Sequence, residues 1–561
     1  MKKGLHIVVA GIIVALVIIT TAYAPAQSSA GDAAPAHGRP YDIAINNGRV
    51  MDPLTGVDAM ANVGIKGGKI AAIVPGHQKL PGKKVINATG LVVAPGFINI
   101  HGHGAGTLTG GGECHVRDGE TTEITGNCGF SGSVVLPADA LETSEIERQS
   151  ALPKSSMLDL DNFFKNQETE GLFVNLASFV GQNTLRTAVG VPGAFDNATP
   201  AQIAAEVELV TQAMEAGALG ISYGPMYHPG NTYAEMVACG KEASRLGGTS
   251  SIHVRYNWPA PKDTEAVKEA LDMAKAADNI SIIISHRGGS IIAPTRTGIL
   301  MEMIAKAREY GQKVATDCMP TSTGSNSIGS AIFAGPLEII AQMMDLKLSD
   351  FRVQRTVVID GAVFMEALEA FTSFDQFRLV RSKVLAKEIP EPGLLMNIYK
   401  PEWTWLYYTA PFTMVESDGF IGIDPATGKY IGNPRGAGTF SRFLGYWVRE
   451  RGVCDLMTGL AKTSTMAAVW LGLDKKGRVQ VGCDADLTLF NPNTIIDKST
   501  FLDPGLPPDG IPFVIVNGVL AVDNGTLTGA QAGKVIRRTW DVPGVLPNLG
   551  RVPGFGVEAL Q

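Results

Sequence analysis

The chain of 561 residues has few charged and few aromatic side chains, and histidine occurs only nine times. Charged residues make up 18% and aromatic residues 7% of the chain. The formal net charge is -7 and no block of consecutive Lys or Arg occurs, which argues against a broad surface for nucleic acid or anionic membranes. A small or weakly charged partner is therefore predicted. Hydrophobic residues still make up 45%, which excludes a disordered chain and indicates a globular protein with a large core.

Cysteines and long apolar runs are also scarce. Six cysteines are scattered without close regular spacing, so the sequence leaves their redox state open. The one long apolar run, residues 7–24, follows Lys2 and Lys3 and precedes small residues, as in a secretory signal. We predict a signal peptide at 1–30, a linker at 31–40 and a periplasmic or secreted protein. The alternative is an uncleaved N-terminal membrane anchor, which would be the only contact with a membrane.

The two ends of the chain have similar strand patterns. Near residues 41–70 and again near 482–519, apolar residues alternate with polar ones and are broken by turn signals such as Asn-Gly. Sets of strands at opposite ends of a chain commonly meet in one sheet. We therefore predict a small β-sandwich domain made of residues 41–95 and 476–545, with a central insert at 96–475.

Within the insert, short strand-like runs alternate with helical stretches such as 200–218, 262–278 and 298–311. This alternation is typical of parallel βα units, and at this length it predicts an α/β fold of the (β/α)8 TIM-barrel type. The active site of such a barrel lies at the C-terminal ends of the strands. Polar residues that end the strand-like runs should therefore share one pocket.

The polar residues at these strand ends fit one metal site. They are His101, His103, Cys128, His253, His286, Asp317 and Asp418. Side chains alternate along a strand, so the two histidines of a His-x-His pair point the same way and can hold one ion. Taken singly, each residue has an ordinary structural explanation, such as a turn or a buried histidine. Together, imidazole, thiolate and carboxylate predict zinc, which acidifies water and polarises a carbonyl for amide hydrolysis.

The motifs around these residues resemble the amidohydrolase superfamily and, within it, the N-acyl-D-amino-acid deacylase (D-aminoacylase) family. Residues 95–103 resemble the first-strand metal motif, and Gly-Asn-Cys-Gly-Phe-Ser at 126–131 matches the cysteine motif of the second strand. Matching segments follow in the family's order at 217–222, 284–286, 416–419 and 438–442. The similarity spans about 41–540. It implies a hydrolase that cleaves N-acyl amino acids, of D configuration in the family, to a carboxylate and a free amino acid.

The resemblance also implies which residues hold metal. Cys128, His253 and His286 would hold a tightly bound zinc. His101 and His103 would sit at a second, weaker metal position. One tight zinc is sufficient for the predicted chemistry, and the number of working metals stays open.

Three further residues receive roles from the resemblance. Asp418 would contact the metal and act as the base that takes a proton from the attacking water and returns it to the leaving amine. Arg435 would pair with the substrate's α-carboxylate, because its planar fork reaches both oxygens. Ser325 would be a second substrate contact. The structural alternative for Arg435 is an ordinary exposed arginine.

The sequence departs from the family pattern near the substrate. Gly104 and Ala105 replace an acidic pair, Met319 replaces a tyrosine, and an arginine expected within 326–331 is missing. Gln182 stands where relatives often carry histidine. These losses motivate the hypothesis of a relaxed or more apolar side-chain pocket.

An insertion is expected at about 341–409, because Asp317 and Asp418 are 101 residues apart, far more than one βα unit. The resemblance implies a lid over the site. One role open to an aromatic cluster in this segment is to help close the lid; the cluster comprises Trp403, Trp405, Tyr407 and Tyr408. The interpretation we favour for these aromatics is the core of the inserted segment.

Two other functions compete with the deacylase prediction. A cyclic-amide hydrolase of the dihydroorotase or hydantoinase type usually bridges two metals with a carboxylated lysine on the fourth strand, but residues 218–224 contain no lysine. The second alternative is not an enzyme but a secreted, inactive binding protein of the same fold, and the departures at Gly104 and Met319 support it. Metal content would separate it from an enzyme. Oligomeric state has no signal in the sequence.

Overall fold

The computed structural model describes residues 40–103, 112–132, 160–256, 262–286, 294–321, 323–343, 346–396, 401–419, 421–423 and 428–538. The predicted signal peptide and nearly all of the predicted linker lie outside the described residues, as do Gly104 and Ala105. Among the residues that are described, no helix combines the length and apolarity needed to cross a bilayer.

The secondary structure of these residues alternates strands and helices through the middle of the chain and is mainly strand at both ends. The strands are β1 (Tyr41–Asp52), β2 (Val57–Lys66), β3 (Lys69–Pro75), β4 (Gly82–Asn87), β5 (Val92–Pro95), β6 (Phe97–Asn99), β7 (Glu120–Thr125), β8 (Asn175–Ser178), β9 (Val180–Gly181), β10 (Gly220–Tyr223), β11 (Thr249–Ile252), β12 (Ile282–Ile284), β13 (Val314–Cys318), β14 (Gly324–Asn326), β15 (Phe351–Val353), β16 (Val357–Ile359), β17 (Ala362–Met365), β18 (Leu394–Met396), β19 (Thr413–Val415), β20 (Ile421–Ile423), β21 (Tyr430–Gly432), β22 (Leu487–Phe490), β23 (Phe513–Val516), β24 (Val519–Asp523) and β25 (Thr526–Leu527). The α-helices are α1 (Gly112–Arg117), α2 (Leu160–Glu170), α3 (Gln182–Ala188), α4 (Pro200–Glu215), α5 (Tyr233–Arg245), α6 (Lys262–Ala276), α7 (Pro294–Glu309), α8 (Leu337–Met343), α9 (Phe374–Leu385), α10 (Pro401–Thr409), α11 (Arg435–Arg442), α12 (Leu456–Leu460) and α13 (Met466–Leu471). Short 3-10 turns lie at Ala331–Phe333 and Leu348–Asp350, and π-helical turns at Phe443–Glu450 and Ala461–Thr465.

Strands from both ends of the chain lie in one nine-stranded sheet. Its order is β25-β24-β23-β22-β5-β1-β2-β3, with β4 also paired to β1. The strand β5 joins the two ends, because it pairs parallel with β1 and antiparallel with β22. Buried residues such as Ile45, Val63, Leu487 and Ile515 form a common core under these strands. The alternating patterns near residues 41–70 and 482–519 therefore do belong to one sheet.

The central strands are parallel and buried. One sheet has the order β6-β7-β8, and a second has the order β19-β13-β12-β11-β10-β9. The helices α4, α5, α6 and α7 connect successive strands from β9 to β13. Two of them begin at reciprocal capping boxes, Thr199 with Gln202 and Thr232 with Glu235, which satisfy free backbone N–H groups. The three helices predicted near 200–218, 262–278 and 298–311 are confirmed, and the fold is α/β.

The two parallel sheets approach each other at two places. Only Phe179 separates β8 from β9 along the chain. At the other edge, Gly102 and Gly419 form a parallel bridge, and the backbone N–H of Asp418 donates to the carbonyl of His101 at 2.9 Å. The strand ends that carry the predicted metal ligands therefore lie side by side.

The long segment between β13 and β19 forms a small unit with its own core. It contains a sheet of order β14-β18-β15 and a β16-β17 hairpin, so its structure begins by Gly324, before the predicted start at 341. Met319 and Phe377 belong to its buried core. Tyr407 and Tyr408 are buried in a different cluster, in which Tyr408 packs on Phe443 with ring centroids 4.9 Å apart.

The prediction that these aromatics form the core of the insertion is therefore wrong for Tyr407 and Tyr408, because both tyrosines of α10 pack against the helices after β21. Trp405 is 43% exposed. The side chain of Trp403 lies outside the described residues.

Candidate metal centre

Six residues predicted to bind metal follow the C-terminal ends of parallel strands. His101 and His103 follow β6, Cys128 follows β7, His253 follows β11, His286 follows β12 and Asp418 follows β19. Neighbouring parallel strands end at the same edge of a sheet, so these side chains converge. All of them are buried except Asp418, which is partly exposed.

Cys128 lies at the centre of the group. Its Sγ is 3.0 Å from His286 Nε2, 3.4 Å from His101 Nε2 and 3.5 Å from His253 Nδ1. The rings of His101 and His286 are in edge contact, with centroids 4.1 Å apart. One thiol therefore touches three imidazoles from three different strands.

Asp418 lies next to the same group. Its Oδ1 is 2.8 Å from His103 Nε2, 3.8 Å from His101 Nε2 and 3.9 Å from His286 Nε2. One ligand atom from each of His101, Cys128, His286 and Asp418 lies within 4.8 Å of all the others. His103 adjoins this set through Asp418, as predicted for a His-x-His pair that points one way.

His253 lies at the edge of the cluster rather than within it. Its Nδ1 faces Cys128, but its Nε2 lies 3.0 Å from the sulfur of Met226. The ring of Tyr227 is 4.7 Å from the His253 ring, and Phe130 packs edge-on against Tyr227 at 5.6 Å. An apolar, partly aromatic wall therefore borders the cluster on this side.

The backbone at the ligands is unusual. Cys128, His286 and Asp418 have φ values of 55°, 55° and 40°, in the left-handed region that non-glycine residues rarely adopt. Gly126, at φ 76°, allows the turn before Cys128, because a Cβ there would lie 2.0 Å from the carbonyl oxygen of Phe179. Such conformations cluster at functional sites and persist only where the surroundings enforce them.

Burial and neighbouring charges set the ionisation of the cluster. Burial acts to raise the pKa of Asp418, but the charges of His286 and Arg435 and a hydrogen bond with His103 outweigh it, so this pKa lies well below its ordinary value. Burial lowers the pKa of His101 well below its ordinary value, and repulsion from the charge of His286 lowers it further. The geometry therefore favours a carboxylate and a neutral imidazole, which are the forms that bind metal.

Two further acidic residues lie behind the histidines. Asp317 accepts the backbone N–H of His286 at 2.7 Å, and its other oxygen is 3.4 Å from His101 Nδ1. Glu416 Oε1 is 3.6 Å from His286 Nδ1. Burial raises the pKa of Asp317 to about 6, and burial with repulsion from Asp317 and Asp418 raises that of Glu416 well above its ordinary value. In the sequence, Asp317 is one of the polar residues at the strand ends and Glu416 lies in the matched segment 416–419, but the pattern gave neither residue a separate role.

The donor set fits a divalent ion such as zinc. Thiolate and imidazole with one carboxylate are the ligands that zinc prefers, and their atoms are close enough to share one ion. The buried Nδ1 of His286 and both oxygens of Glu416 have no hydrogen-bond partner among the described residues. Unpaired buried polar atoms beside such a cluster are expected where an ion organises the ring positions.

Arg435 and Ser325, the predicted substrate contacts, lie beside Asp418. Arg435 is almost fully buried, which excludes an ordinary surface arginine. Its Nη2 is 2.6 Å from Asp418 Oδ2, its Nε donates to the Asp418 carbonyl at 2.8 Å, and its Nη1 donates to the Thr323 carbonyl at 2.6 Å. Ser325 Oγ is 3.5 Å from Nη2. In this structure the guanidinium therefore holds Asp418 itself.

Two departures from the family pattern turn away from the cluster. Met319 is buried in the core of the segment after β13. The Gln182 amide donates to Glu206 at 3.3 Å and accepts from Asn231 at 2.7 Å, in a buried network between helices. Neither side chain supplies a polar group to the metal centre.

A parallel α/β fold with imidazole, thiolate and carboxylate donors gathered at its strand ends is the arrangement expected of an amidohydrolase. No protein-family model matches the chain. Among curated proteins it is 29% identical to a D-aminoacylase of Alcaligenes xylosoxydans xylosoxydans, over 89% of this chain and 98% of that protein. It is 28% identical to an N-acyl-D-glutamate deacylase of the same organism, over 90% of this chain and 98% of that protein. The chain is a homologue of these D-amino-acid deacylases, and the resemblance carried by its motifs is confirmed.

Solved structures agree with this relationship. An N-acyl-D-glutamate deacylase from Bordetella bronchiseptica, complexed with zinc and a phosphonate mimic of the tetrahedral intermediate, matches with a TM-score of 0.74 and 25% identity, over 89% of this chain and all of that one. A D-aminoacylase studied for its binuclear metal centre matches equally well, with the same TM-score and coverage. A D-hydantoinase matches at a TM-score of 0.54 and 16% identity over 89% of this chain and 99% of that one, which shows a shared fold alone.

Proposed function

We propose that this protein is a zinc-dependent deacylase that hydrolyses N-acyl-D-amino acids to a carboxylate and a free D-amino acid. The observation that carries the proposal is the contact of Cys128 with imidazoles from three strands, opposite the carboxylate of Asp418. The relatives that share most of its length are D-amino-acid deacylases. A binding protein without turnover would have no need of this buried donor set.

Cys128, His286 and His253 would hold the tightly bound ion, with His101 and His103 toward a second position. A bound zinc would polarise the amide carbonyl and acidify water. The low pKa of Asp418 keeps its carboxylate ionised, so it can accept a proton from the attacking water. The water oxygen bonds to the carbonyl carbon, the C–N bond breaks, and the Asp418 proton passes to the leaving amine nitrogen.

The substrate's α-carboxylate would approach Arg435 and Ser325. Arg435 is the buried cation beside Asp418, and its fork suits a carboxylate. We place the substrate side chain against the wall of Met226, Tyr227 and Phe130, which is consistent with a more apolar pocket. This predicts higher kcat/KM for N-acetyl-D-leucine and N-acetyl-D-phenylalanine than for N-acetyl-D-glutamate, and a preference for D-glutamate would overturn it.

The proposed architecture is an eight-stranded (β/α)8 barrel with a β-sandwich domain. Three observations support it. The strands within the β6-β7-β8 sheet and within the β9-β10-β11-β12-β13-β19 sheet are parallel, β9 follows β8 almost directly along the chain, and Gly102 and Gly419 form a bridge. In this proposal residues 96–475 form the barrel, residues 41–95 and 476–545 form the sandwich, and the segment between β13 and β19 covers the site as a lid. A crystal structure of the zinc-loaded protein would test the closure and the lid directly.

Export is part of the proposal and rests on the sequence of residues 1–30. The apolar run after Lys2 and Lys3 would direct the chain to the periplasm or outside the cell. Cell fractionation with mass analysis of the N-terminus tests it. A mature N-terminus near residue 31 in the soluble periplasmic fraction is expected, an intact chain in the membrane fraction would indicate the anchored alternative, and an intact cytosolic chain would refute export.

The decisive experiment measures turnover of matched N-acetyl-D and N-acetyl-L amino acids and of dihydrouracil by the zinc-loaded protein. Cleavage of the D substrates is expected, with loss of activity in Cys128→Ala and a reduction of kcat by about 10²–10⁴ in Asp418→Asn. Zinc content of each variant separates lost metal from lost proton transfer. Turnover of dihydrouracil alone would favour a cyclic-amide hydrolase, and a wild-type protein with neither zinc nor activity would favour an inactive binder.

A further inference from the structure

Glu416 is a buried carboxylate that has no assigned part in the chemistry. It follows β19, two residues before Asp418, and its side chain is 0% exposed. Neither of its carboxylate oxygens has a hydrogen-bond partner within the described part of the chain. A buried carboxylate without partners is costly for the folded state, so its retention at this position requires an explanation.

The atom that faces Glu416 is also unpaired. His286 Nδ1 lies 3.6 Å from Glu416 Oε1 and has no hydrogen-bond partner among the residues described. The opposite nitrogen of the same ring, Nε2, lies 3.0 Å from Cys128 Sγ and 3.9 Å from Asp418 Oδ1. One side of the imidazole thus faces the metal donors, and the other faces a carboxyl group whose oxygens have no hydrogen-bond partner in the described residues.

The neighbouring histidine shows the same arrangement. His101 Nε2 lies 3.4 Å from Cys128 Sγ, while its Nδ1 lies 3.4 Å from Asp317 Oδ2. Each imidazole therefore has a thiol on one side and a carboxylate on the other. A histidine that binds metal usually donates its second ring N–H to a carboxylate or carbonyl, which fixes the tautomer and the ring orientation.

We propose that Glu416 is a positioning residue that accepts the Nδ1–H of His286 and holds His286 Nε2 toward the ion at Cys128. The inference rests on the proposed zinc site and deepens it. The separation of 3.6 Å between Nδ1 and Oε1 needs to shorten by about 0.4 Å to reach hydrogen-bond range, about 2.7–3.2 Å. A second ion held by His286, Asp317 and Glu416 is the competing use of the same atoms, but His286 would then have to bind metal through both ring nitrogens.

The test compares zinc affinity of the full chain with that of Glu416→Ala and Glu416→Gln by competition with a chromogenic chelator. Loss of the carboxylate should weaken zinc binding about 10- to 100-fold. Glutamine keeps an oxygen that accepts the Nδ1–H, so it should recover most of the affinity. Glu206→Ala is the matched control, because Glu206 is equally buried, also has one oxygen without a partner among the described residues, and lies on α4, where its other oxygen accepts from Gln182.

Cobalt substitution gives a readout that a general loss of stability would not move. The thiolate-to-cobalt absorption band should shift in Glu416→Ala and keep its wild-type position in Glu206→Ala. If the alanine variant does not fold, Glu416→Met is used instead, because it fills a similar volume and cannot accept the hydrogen bond from Nδ1–H, and the same result is expected.

Two outcomes would overturn the inference. In the first, a folded Glu416→Ala variant binds zinc within threefold of wild type with an unchanged cobalt band. In the second, wild type binds two ions and the variant loses one completely while binding the other normally, which would assign Glu416 to a second metal site. A wild-type chain that binds no zinc would instead refute the proposed function.

Discussion

The contacts of Arg435 allow a quantitative prediction for its replacement by lysine. The guanidinium donates to the Asp418 carboxylate at 2.6 Å, to the Asp418 carbonyl at 2.8 Å and to the Thr323 carbonyl at 2.6 Å. A lysine ammonium is a point charge and cannot reproduce this fork. A hydrogen bond to a charged group contributes about 1.5–3 kcal/mol. Losing the bond to the carboxylate should therefore lower kcat/KM about 10- to 150-fold, since 1.36 kcal/mol is tenfold in rate.

The assay separates the two roles that Arg435 can have. Arg435→Lys is measured on N-acetyl-D-leucine and on N-acetyl-D-leucinamide, which lacks the α-carboxylate. If the arginine orients Asp418, kcat falls for both substrates. If it only pairs with the substrate, KM rises for the acid and the amide is unaffected.

A matched control is available on the same helix. Arg442 also donates to a backbone carbonyl, that of Pro320 at 2.9 Å, and forms an ion pair with Asp497, but it lies away from the metal cluster. Arg442→Lys should leave kcat/KM within about threefold of wild type. A zinc-loaded Arg435→Lys variant whose kcat/KM on both substrates is also within threefold would refute the reasoning.

Three other predictions concern stability and metal binding. Removing metal with a chelator should lower the melting temperature and abolish activity, with zinc restoring both, because buried carboxylates around the site lose their compensating charge. Ser222→Ala should weaken zinc binding about tenfold, since Ser222 Oγ donates to the Gly126 carbonyl and accepts from Gly129 N–H around Cys128; an unchanged affinity would contradict this. Burial lowers the pKa of Lys462 to about 8, so the unfolded chain binds more protons between about pH 8 and 10.5 and stability should rise with pH there. Melting scans of wild type and Lys462→Met should differ in this slope, and equal slopes would exclude the effect.

Local sequence patterns were sufficient for the parts of the site that depend on strand geometry. The period of two along a strand predicts that His101 and His103 point the same way, and both lie near Asp418. The order of strand ends likewise brings Cys128 against His286. These features follow from the rule that parallel strands end at one edge of the sheet.

Features set by distant contacts were not predictable in the same way. Which nitrogen of His253 faces the cluster depends on Met226, on the loop after a different strand. The burial of Glu416 depends on the pairing of β19 with β13, a contact between segments about 100 residues apart in the sequence. The side-chain direction of Tyr408 depends on its packing against Phe443. No local periodicity encodes contacts of this range.

The left-handed backbone at three ligand positions shows where the scaffold does its positioning. Each such residue costs roughly 1–3 kcal/mol unless its surroundings enforce the conformation. Here the enforcing contacts are hydrogen bonds from backbone N–H groups: Asp418 N–H donates to the His101 carbonyl, and His286 N–H donates to the carboxylate of Asp317. Gly129 N–H to Ser222 fixes the turn that carries Cys128. Because these contacts do not involve the ion, metal binding should act mainly on the rotations of the ligand side chains. Glu416 acts on that remaining freedom, which is why its effect should be seen in zinc affinity and in the cobalt spectrum.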